Sequence, residues 1–243
     1  VRQEAVLCGI AWFEAVFLVL DSSAVIRWLH QEGEWMQANT TVCEIDANAR
    51  ALLSAERPAM NFLQTLSFTA TITRQYVDAS AGASPNPKGC AILDTRKTLP
   101  GLRQAQKYAV RVGHGQNQRM ALWDGILIKE NHIAAAGSIT AALKAADALH
   151  AGVEVQIEVE SIAELEEALS AGATSILIDN FSLEQMRQAV KMNAGRAQLE
   201  ASGGVSIDQI KAIASTGVDR ISIGKLTKDI QAIDYSMRID PLS

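Results

Sequence analysis

Positively charged side chains are concentrated between residues 88 and 132 of this chain. The segment holds eight Lys and Arg against three Asp and Glu, a surplus of five positive charges in a chain of net charge -5. Arg96, Lys97, Arg119 and Lys129 flank short apolar runs of the kind that form buried strands. Because ligands of α/β proteins bind beyond the carboxyl ends of strands, these cations predict a site for a small polyanion. A nucleic-acid-binding protein would be basic over a whole face, so no nucleic-acid partner is expected.

Two carboxylates stand at or near the ends of later apolar runs. Glu158 lies in Val153 to Val159, and Asp179 follows Ser175 to Ile178. Such carboxylates can hold sugar hydroxyls directly or through Mg²⁺, which prefers a few carboxylates together with substrate oxygens. A salt bridge to Lys129 is the alternative role for either of them.

Two glycine turns follow the last two apolar runs, at Ser202-Gly203-Gly204 and at Gly224. Turns of this kind that precede a helix expose backbone N–H groups, and these groups bind phosphate. In α/β barrels the phosphate site often lies at the last two strands. We therefore expect a phosphate group to bind at these turns.

The elements that position these residues are repeated strand and helix units from Gly89 onward. The predicted strands are Cys90 to Leu93, Gly125 to Lys129, Val153 to Val159, Ser175 to Ile178, Ala197 to Glu200 and Arg220 to Ile223. Continuously apolar strands joined by helices imply a parallel sheet, and this number of units favours a closed barrel over an open sheet. The mouth at the strand ends would collect Asp94, Arg96, Lys97, Lys129, Asn131, His132, Glu158, Glu160, Asp179, Asn180, Glu200, Ser202, Gly203, Gly204, Gly224 and Lys225.

Helix signals agree with these units. Ser182 and Ser206 are each followed three residues later by glutamine, which predicts helix starts with a capping box. Arg103 and Lys107 fall in a helical segment and are interpreted as lying on its solvated surface.

The region before about residue 85 has a different pattern. The segment from Asp46 to Leu66 is predicted to be a helix, in which Pro58 must lie in the first turn or cause a kink. The turn-rich stretch 84–87 is a plausible domain boundary. We therefore predict an N-terminal α/β domain over residues 1–88 and a barrel domain over residues 89–243. The first domain is expected to lack its initial residues and can also recruit the C-terminal tail.

Composition is that of an ordinary globular protein, with 48% hydrophobic and 20% charged residues. The most apolar stretch, 5–20, contains Glu14 and is shorter than the roughly 20 residues that span a bilayer, so no membrane role is expected. Cys8, Cys43 and Cys90 form no CxxC pair, which predicts buried thiols in a reducing compartment.

Several long motifs occur in a fixed order along the chain. They are AERPAMNFLQTLS at 55–67, DTRKTLPGLR at 94–103, QKYAVR at 106–111, LIKENH at 127–132, IDN at 178–180, EASGG at 200–204 and TGVDRISIGKLT at 216–227. In these motifs the chain closely resembles the quinolinate phosphoribosyltransferase family, the carboxylating nicotinate-nucleotide pyrophosphorylases. The resemblance implies a small N-terminal α/β sandwich domain and an incomplete parallel α/β barrel.

The resemblance also implies an enzyme, a pentosyltransferase of NAD biosynthesis. It would convert quinolinate and phosphoribosyl pyrophosphate to nicotinate mononucleotide, CO₂ and pyrophosphate, with Mg²⁺ as cofactor. The catalytic residues would be Lys97, Lys129, Glu158 and Asp179, of which the two carboxylates would also face the metal. Substrate would be bound by those four together with Arg96, Gln118, Arg119, His132, Ser202, Gly203, Gly204 and Gly224. A cytoplasmic homodimer is implied, in which Arg57 reaches the active site of the partner subunit.

One loop departs from the family pattern Gly-Gly-Gly-x-Asn-His-Arg. Here Gln118 replaces the His that would contact substrate, and His114 stands at a usual Gly. Glutamine donates a hydrogen bond but cannot become a cation. This departure leaves open a catalytically weak phosphate-binding homologue. A related pyrophosphorylase with another substrate also stays open, as does, from the barrel fold alone, a Schiff-base aldolase that uses Lys129.

Overall fold

The computed structural model describes residues 1–239 and divides into two compact units. The first unit consists of Val1–Arg74, Thr98–Gly115 and the described residues from Lys225 onward. The second consists of Gln75–Lys97 and Gln116–Gly224. Neither unit is a continuous stretch of chain, and the domain boundary at residue 88 stays a prediction.

The described residues form ten strands and nine helices. The strands are β1 (Ala5–Val6), β2 (Val25–Trp28), β3 (Trp35–Met36), β4 (Cys43–Asp46), β5 (Ala91–Leu93), β6 (Ile126–Ile128), β7 (Val155–Val159), β8 (Ser175–Asp179), β9 (Gln198–Ser202) and β10 (Arg220–Ser222). The helices are α1 (Ile10–Leu20), α2 (Ala49–Ser80), α3 (Arg103–Val112), α4 (Glu130–Ala136), α5 (Ile139–Asp147), α6 (Ile162–Ser170), α7 (Leu183–Asn193), α8 (Ile207–Ala214) and α9 (Lys225–Lys228).

The first unit is a small α/β domain built on two antiparallel strand pairs, β1 with β3 and β2 with β4. Phe13 and Phe17 of α1 pack in one buried cluster with Met36 of β3 and Leu63 of α2. Tyr235, near the end of the described chain, belongs to the same cluster. The C-terminal segment is thus part of the N-terminal core.

Helix α2 is much longer than the helix predicted over Asp46 to Leu66. It runs for 32 residues, and Pro58 lies inside it, which excludes the first-turn position, one of the two predicted alternatives. The residues after Leu66 include hydroxyl and β-branched side chains that weaken helix propensity. Thr71 and Thr73 nevertheless fit the helix because their hydroxyls donate to the carbonyls four residues earlier, at 2.6 and 2.7 Å.

Helix α3 belongs to the first unit although it lies between two strands of the barrel in sequence. Its Ala105 and Ala109 form a buried cluster with Leu66 and Ala70 of α2. The prediction that Lys107 lies on a solvated surface was wrong, because this side chain is fully buried. A lysine is almost never fully buried unless its charge is paired, and that pairing is not visible from residue type alone.

The second unit carries a parallel six-stranded sheet in the order β5-β10-β9-β8-β7-β6, within the described residues. Each predicted strand is present, with ends that shift by at most a few residues. Ser182 caps α7 as predicted, by accepting from Gln185 N at 3.2 Å. At α8, Gln209 reaches back to the Ser206 N–H at 3.0 Å. The predicted fold class, a small N-terminal α/β domain followed by an incomplete parallel barrel, is confirmed.

The loop that begins at Gln116 runs parallel to β5, at the open edge of this barrel. Gln116 N donates to Ile92 O at 2.8 Å, and Asp94 N donates to Gln116 O at 3.2 Å. These bonds align the loop from Gln116 to Arg119 with β5. Among the described helices, none is both long and apolar enough to cross a membrane.

Candidate active site

The carboxyl ends of the parallel strands bring most of the predicted site residues to one edge of the second unit. Around the sheet order, these residues are Lys129 and His132 after β6, Glu158 in β7, Asp179 in β8, Ser202, Gly203 and Gly204 at the end of β9, Gly224 after β10, and Arg96 and Lys97 after β5. Because all six strands are parallel and paired in order, their carboxyl ends lie on the same side of the sheet, here called the rim.

Lys129 and Glu158 form an ion pair across β6 and β7. The distance from Lys129 Nζ to Glu158 Oε2 is 2.6 Å, and the glutamate side chain is only 10% exposed. Lys129 also caps α4, where its backbone N–H donates to His132 Nδ1 at 3.1 Å. The salt bridge considered from sequence is therefore present, and it aligns the ammonium group at the rim.

A carboxylate cluster lies next to this pair. One oxygen each from Glu158, Glu160 and Asp179 lie within 4.8 Å of one another. Asn180 Nδ2 donates to Asp179 Oδ2 at 2.7 Å, which fixes the orientation of that carboxylate. Hard oxygen ligands at this spacing suit Mg²⁺, so the residues present fit the predicted metal.

The turn after β9 makes a close approach to Asn180. Gly203 has φ of +108°, and a Cβ added there would lie 2.9 Å from the Asn180 backbone nitrogen. Gly204 also has a positive φ, +56°, but no atom of the described chain lies within 4 Å of an added Cβ. Steric contact therefore requires glycine at 203, whereas open space surrounds 204 at the rim.

The cations on the other side of the rim differ in exposure. Arg96 and Lys97 are exposed, and Thr95 Oγ1 accepts from the Lys97 backbone N–H at 3.1 Å. Arg119 is partly buried, and its Nη1 donates to Gly125 O at 2.8 Å. Burial lowers the pKa of Arg119, and the positive charge of Arg96 lowers it further. The charges of the two guanidinium groups therefore interact with each other.

Two acidic residues predicted at the mouth lie elsewhere. Asp94 is fully buried and accepts from Asn117 Nδ2 at 2.6 Å and from the Gln118 backbone N–H at 2.8 Å. Glu200 is also fully buried, inside the barrel, with its carboxylate 3.3 Å from Arg220 Nε. Their role is to support the loop before Arg119, which sequence position alone did not reveal.

Gln118 faces this buried layer. Its Nε2 donates to Gln156 Oε1 and Glu200 Oε2, both at 3.0 Å, and its Oε1 accepts from the Arg119 backbone N–H at 2.7 Å. Gln156 and Arg220 were not selected from the sequence. Gln156 could have been identified from the sequence, because it is a polar residue within the apolar strand Val155–Val159.

Arg57 lies on α2 in the first unit, outside the compact unit that carries the rim. Its side chain is 67% exposed, and its guanidinium group lies 3.9 Å from the Glu56 carboxylate. The single chain thus presents Arg57 to solvent.

The cysteines show no sign of a catalytic thiolate. All three thiols are free. Burial raises the pKa of Cys43 and of Cys90 to about 12, and it raises the pKa of Cys8 as well. These thiols are protonated near neutrality, and the chemistry of the rim must come from its cations and carboxylates.

Comparison with known proteins agrees with this arrangement. The family model "Quinolinate phosphoribosyl transferase, N-terminal domain" matches residues 1–67, and the C-terminal domain model of the same family matches residues 69–238. A probable nicotinate-nucleotide pyrophosphorylase (carboxylating) from Bacillus subtilis is 38% identical, over 98% of this chain and 81% of the relative. The chloroplastic nicotinate-nucleotide pyrophosphorylase (carboxylating) of Arabidopsis thaliana is 33% identical, over 98% of this chain and 72% of the relative.

Solved structures give the same result. The nicotinate-nucleotide pyrophosphorylase from Francisella tularensis superposes with a TM-score of 0.91 at 44% identity, over 96% of this chain and 81% of that one. NadC from Streptococcus pyogenes gives a TM-score of 0.91 at 40% identity, over 98% of this chain and 82% of that one. With both domain models matched in order and these relatives covered over most of their length, the chain belongs to the quinolinate phosphoribosyltransferase family.

Proposed function

We propose that this chain transfers the phosphoribosyl group of phosphoribosyl pyrophosphate to quinolinate, with decarboxylation, in NAD biosynthesis. The products are nicotinate mononucleotide, CO₂ and pyrophosphate. The observation that carries the proposal is the composition of one rim, on which cations from β5 and β6 stand beside carboxylates of β7 and β8 and a glycine turn after β9. A substrate pair with a dicarboxylate, a ribose and phosphates matches each of these groups.

The cations take the anionic groups of the substrates. Arg96 and Arg119 supply planar guanidinium groups that bind carboxylates through paired hydrogen bonds. Lys97 and Lys129 supply compact charges for a carboxylate or for the departing pyrophosphate. The lowered pKa of Arg119 reflects burial and the nearby Arg96 charge, an environment that a bound dicarboxylate relieves.

Catalysis rests on alignment and electrostatics. As pyrophosphate leaves, C1 of the ribose gains positive character, and the pyridine nitrogen attacks it from the opposite face. Glu158 and Asp179 would hold the ribose hydroxyls and stabilise the charge at C1. Lys129, paired with Glu158 at 2.6 Å, supplies positive charge on the side of the leaving group.

Decarboxylation follows from the new bond. Once the ring nitrogen is quaternised, loss of the adjacent carboxylate leaves an electron pair on the ring carbon beside a positive nitrogen. Neighbouring Arg and Lys charges stabilise that electron pair until a proton replaces the carboxylate. Release of CO₂ therefore depends on prior transfer of the ribosyl group.

Phosphate and metal would bind at different parts of the rim. The backbone of Ser202, Gly203 and Gly204, with Gly224, would take the 5′-phosphate, because open N–H groups at a glycine turn bind anions. Mg²⁺ would be held by Glu158 and Asp179, partly through substrate oxygens or water. When bound, it would neutralise charge on the pyrophosphate leaving group.

The site would be completed by a second subunit. Arg57 is exposed on α2 and directed to solvent in the single chain, which supports a homodimer in which it reaches the partner's substrate. If so, Arg57→Ala mixed with Lys129→Ala should recover part of the activity, since a mixed dimer contains one intact site. No recovery among subunits that exchange would argue against a shared active site.

Three free thiols support a reducing, cytoplasmic location.

A substrate panel tests the function. The purified protein, given phosphoribosyl pyrophosphate and Mg²⁺, should turn over quinolinate much faster than nicotinate or other pyridine and pyrimidine acids. Preference for another acid would favour the related pyrophosphorylase. Binding without turnover would favour the phosphate-binding homologue. In a Schiff-base aldolase, borohydride would trap an adduct at Lys129. We expect no such adduct here.

A further inference from the structure

The Gln118 side chain is fully engaged by the protein. Its two amide hydrogens point to Gln156 Oε1 and Glu200 Oε2, both at 3.0 Å, and its carbonyl oxygen accepts from Arg119 N. Its backbone N–H is held by Asp94 at 2.8 Å. Gln118 is half-buried, and both N–H groups of its side-chain amide point to acceptors on barrel strands rather than to the rim.

Glu200 depends on these amides for its directed hydrogen bonds. Gln156 Nε2 donates to its Oε2 at 2.9 Å, and Gln118 Nε2 donates at 3.0 Å. Arg220 Nε lies 3.3 Å away and compensates the charge, but its N–H finds no hydrogen-bond acceptor at good geometry among the described residues. Losing either amide would therefore leave a fully buried carboxylate short of donors, which is strongly unfavourable.

The hydrogen bonds among Gln118, Gln156 and Glu200 connect the loop before Arg119 to the barrel. The loop from Gln116 to Arg119 runs along β5 at the open edge of the barrel, and no strand of the described chain pairs with its other side. Bonds from β7 and β9 through Gln118 hold that loop from within. The same amide then sets the backbone nitrogen of Arg119, whose guanidinium group is proposed to bind substrate.

We propose that Gln118 and Glu200 are positioning residues for Arg119, and that Gln118 does not itself contact quinolinate in this chain. The inference rests on the proposed function for its choice of ligand. It assigns Glu200, a residue outside the rim, a role in quinolinate affinity. It also gives a reason for Gln at position 118: a neutral amide can bridge a carboxylate, a second amide and a backbone N–H at once.

Quinolinate binding by calorimetry tests the positioning. Gln118→Met and Glu200→Gln are each expected to raise the quinolinate Kd by about ten- to hundredfold, as displaced binding groups do. The double variant should bind no more weakly than the weaker single variant. The matched control Gln185→Met removes a half-buried glutamine side chain of α7, whose Oε1 accepts from Ser182 N at 2.9 Å, and should leave the Kd unchanged. Additive losses in the double variant would overturn the proposal, because they would show that the two residues affect binding independently.

The Arg119→Met background separates positioning from a general loss of structure. In that background Glu200→Gln should weaken quinolinate binding by no more than about twofold, because the group it positions is already absent. A loss as large as in the wild-type background would overturn the proposal.

Thermal unfolding of the same variants keeps the test independent of the ligand. If the two residues are coupled, the double variant should melt within about 2 °C of the less stable single variant. A decrease in Tm equal to the sum of the two single decreases would refute the coupling between Gln118 and Glu200. A wild-type protein that bound no quinolinate would refute the proposed function, while this unfolding comparison would still decide whether Glu200 holds Gln118.

Discussion

Replacing Gly203 by alanine should damage the protein far more than the same change at Gly204. An added Cβ at 203 would lie 2.8 Å from Asn180 Cγ and 2.9 Å from Asn180 N, with φ at +108°. At 204, with φ at +56°, the Cβ would meet no atom of the described chain within 4 Å. Both changes strain the backbone, but only the first displaces a neighbouring strand end.

The two contributions can be estimated. A left-handed backbone costs a residue with a Cβ about 1–2 kcal/mol. Overpacking against a fixed neighbour typically adds about 1–3 kcal/mol. We expect Gly204→Ala to lower the free energy of unfolding by about 1 kcal/mol and Gly203→Ala by about 3 kcal/mol. For a chain of this length, about 1 kcal/mol corresponds to about 2–4 °C in Tm, so the losses are about 3 °C and about 9 °C.

Scanning calorimetry measures both Tm values, and steady-state kinetics measures KM for phosphoribosyl pyrophosphate. Gly203→Ala should also raise this KM, because the displaced turn is the proposed 5′-phosphate site. Equal Tm losses for the two variants, or a larger loss at Gly204, would refute the steric reasoning. A destabilised Gly203→Ala protein with unchanged KM would refute the phosphate assignment alone.

Three further substitutions test other parts of the structure. Gly113→Ala would place a Cβ 2.8 Å from Thr73 Cβ and closer still to a backbone oxygen of α2. Because of this overpacking, calorimetry should show a Tm lower by about 6 °C or more. His114 has φ of +68°, so His114→Gly should raise the urea midpoint by relieving about 1 kcal/mol of strain, and an unchanged or lower midpoint would contradict this. Asp179→Asn should raise the Mg²⁺ concentration for half-maximal activity about tenfold or more, while lowering the Tm by no more than about 2 °C. An unchanged Mg²⁺ requirement would show that Asp179 is not a ligand of the proposed metal site.

The barrel strands and the rim were accessible from sequence because each depends on a short-range pattern. A strand buried on both faces reads as a continuous apolar run, and its carboxyl end is simply where that run stops. Arg96, Lys129 and Asp179 could therefore be assigned to one edge from the ends of these runs alone. The glycine turn after β9 was visible for the same reason, since Gly203 and Gly204 follow the run directly.

The buried polar layer was not accessible, because burial of a charged group depends on partners distant in sequence. Glu200 stands beside the rim residues in its motif, yet it points into the barrel toward Gln118, 82 residues away in the chain. Lys107 lies in a helix that sequence order assigns to the barrel, whereas contacts assign it to the first unit. The full length of α2 was also hidden, since hydroxyl side chains within it bond to the helix backbone.

The central claim is most directly tested by following both leaving groups in one reaction. Quinolinate labelled in the carboxyl group next to the ring nitrogen, mixed with phosphoribosyl pyrophosphate, Mg²⁺ and the protein, should release labelled CO₂ and pyrophosphate in equal amounts. No label should be released when phosphoribosyl pyrophosphate is omitted. Pyrophosphate without CO₂, CO₂ without phosphoribosyl pyrophosphate, or neither product from the folded protein would contradict the account.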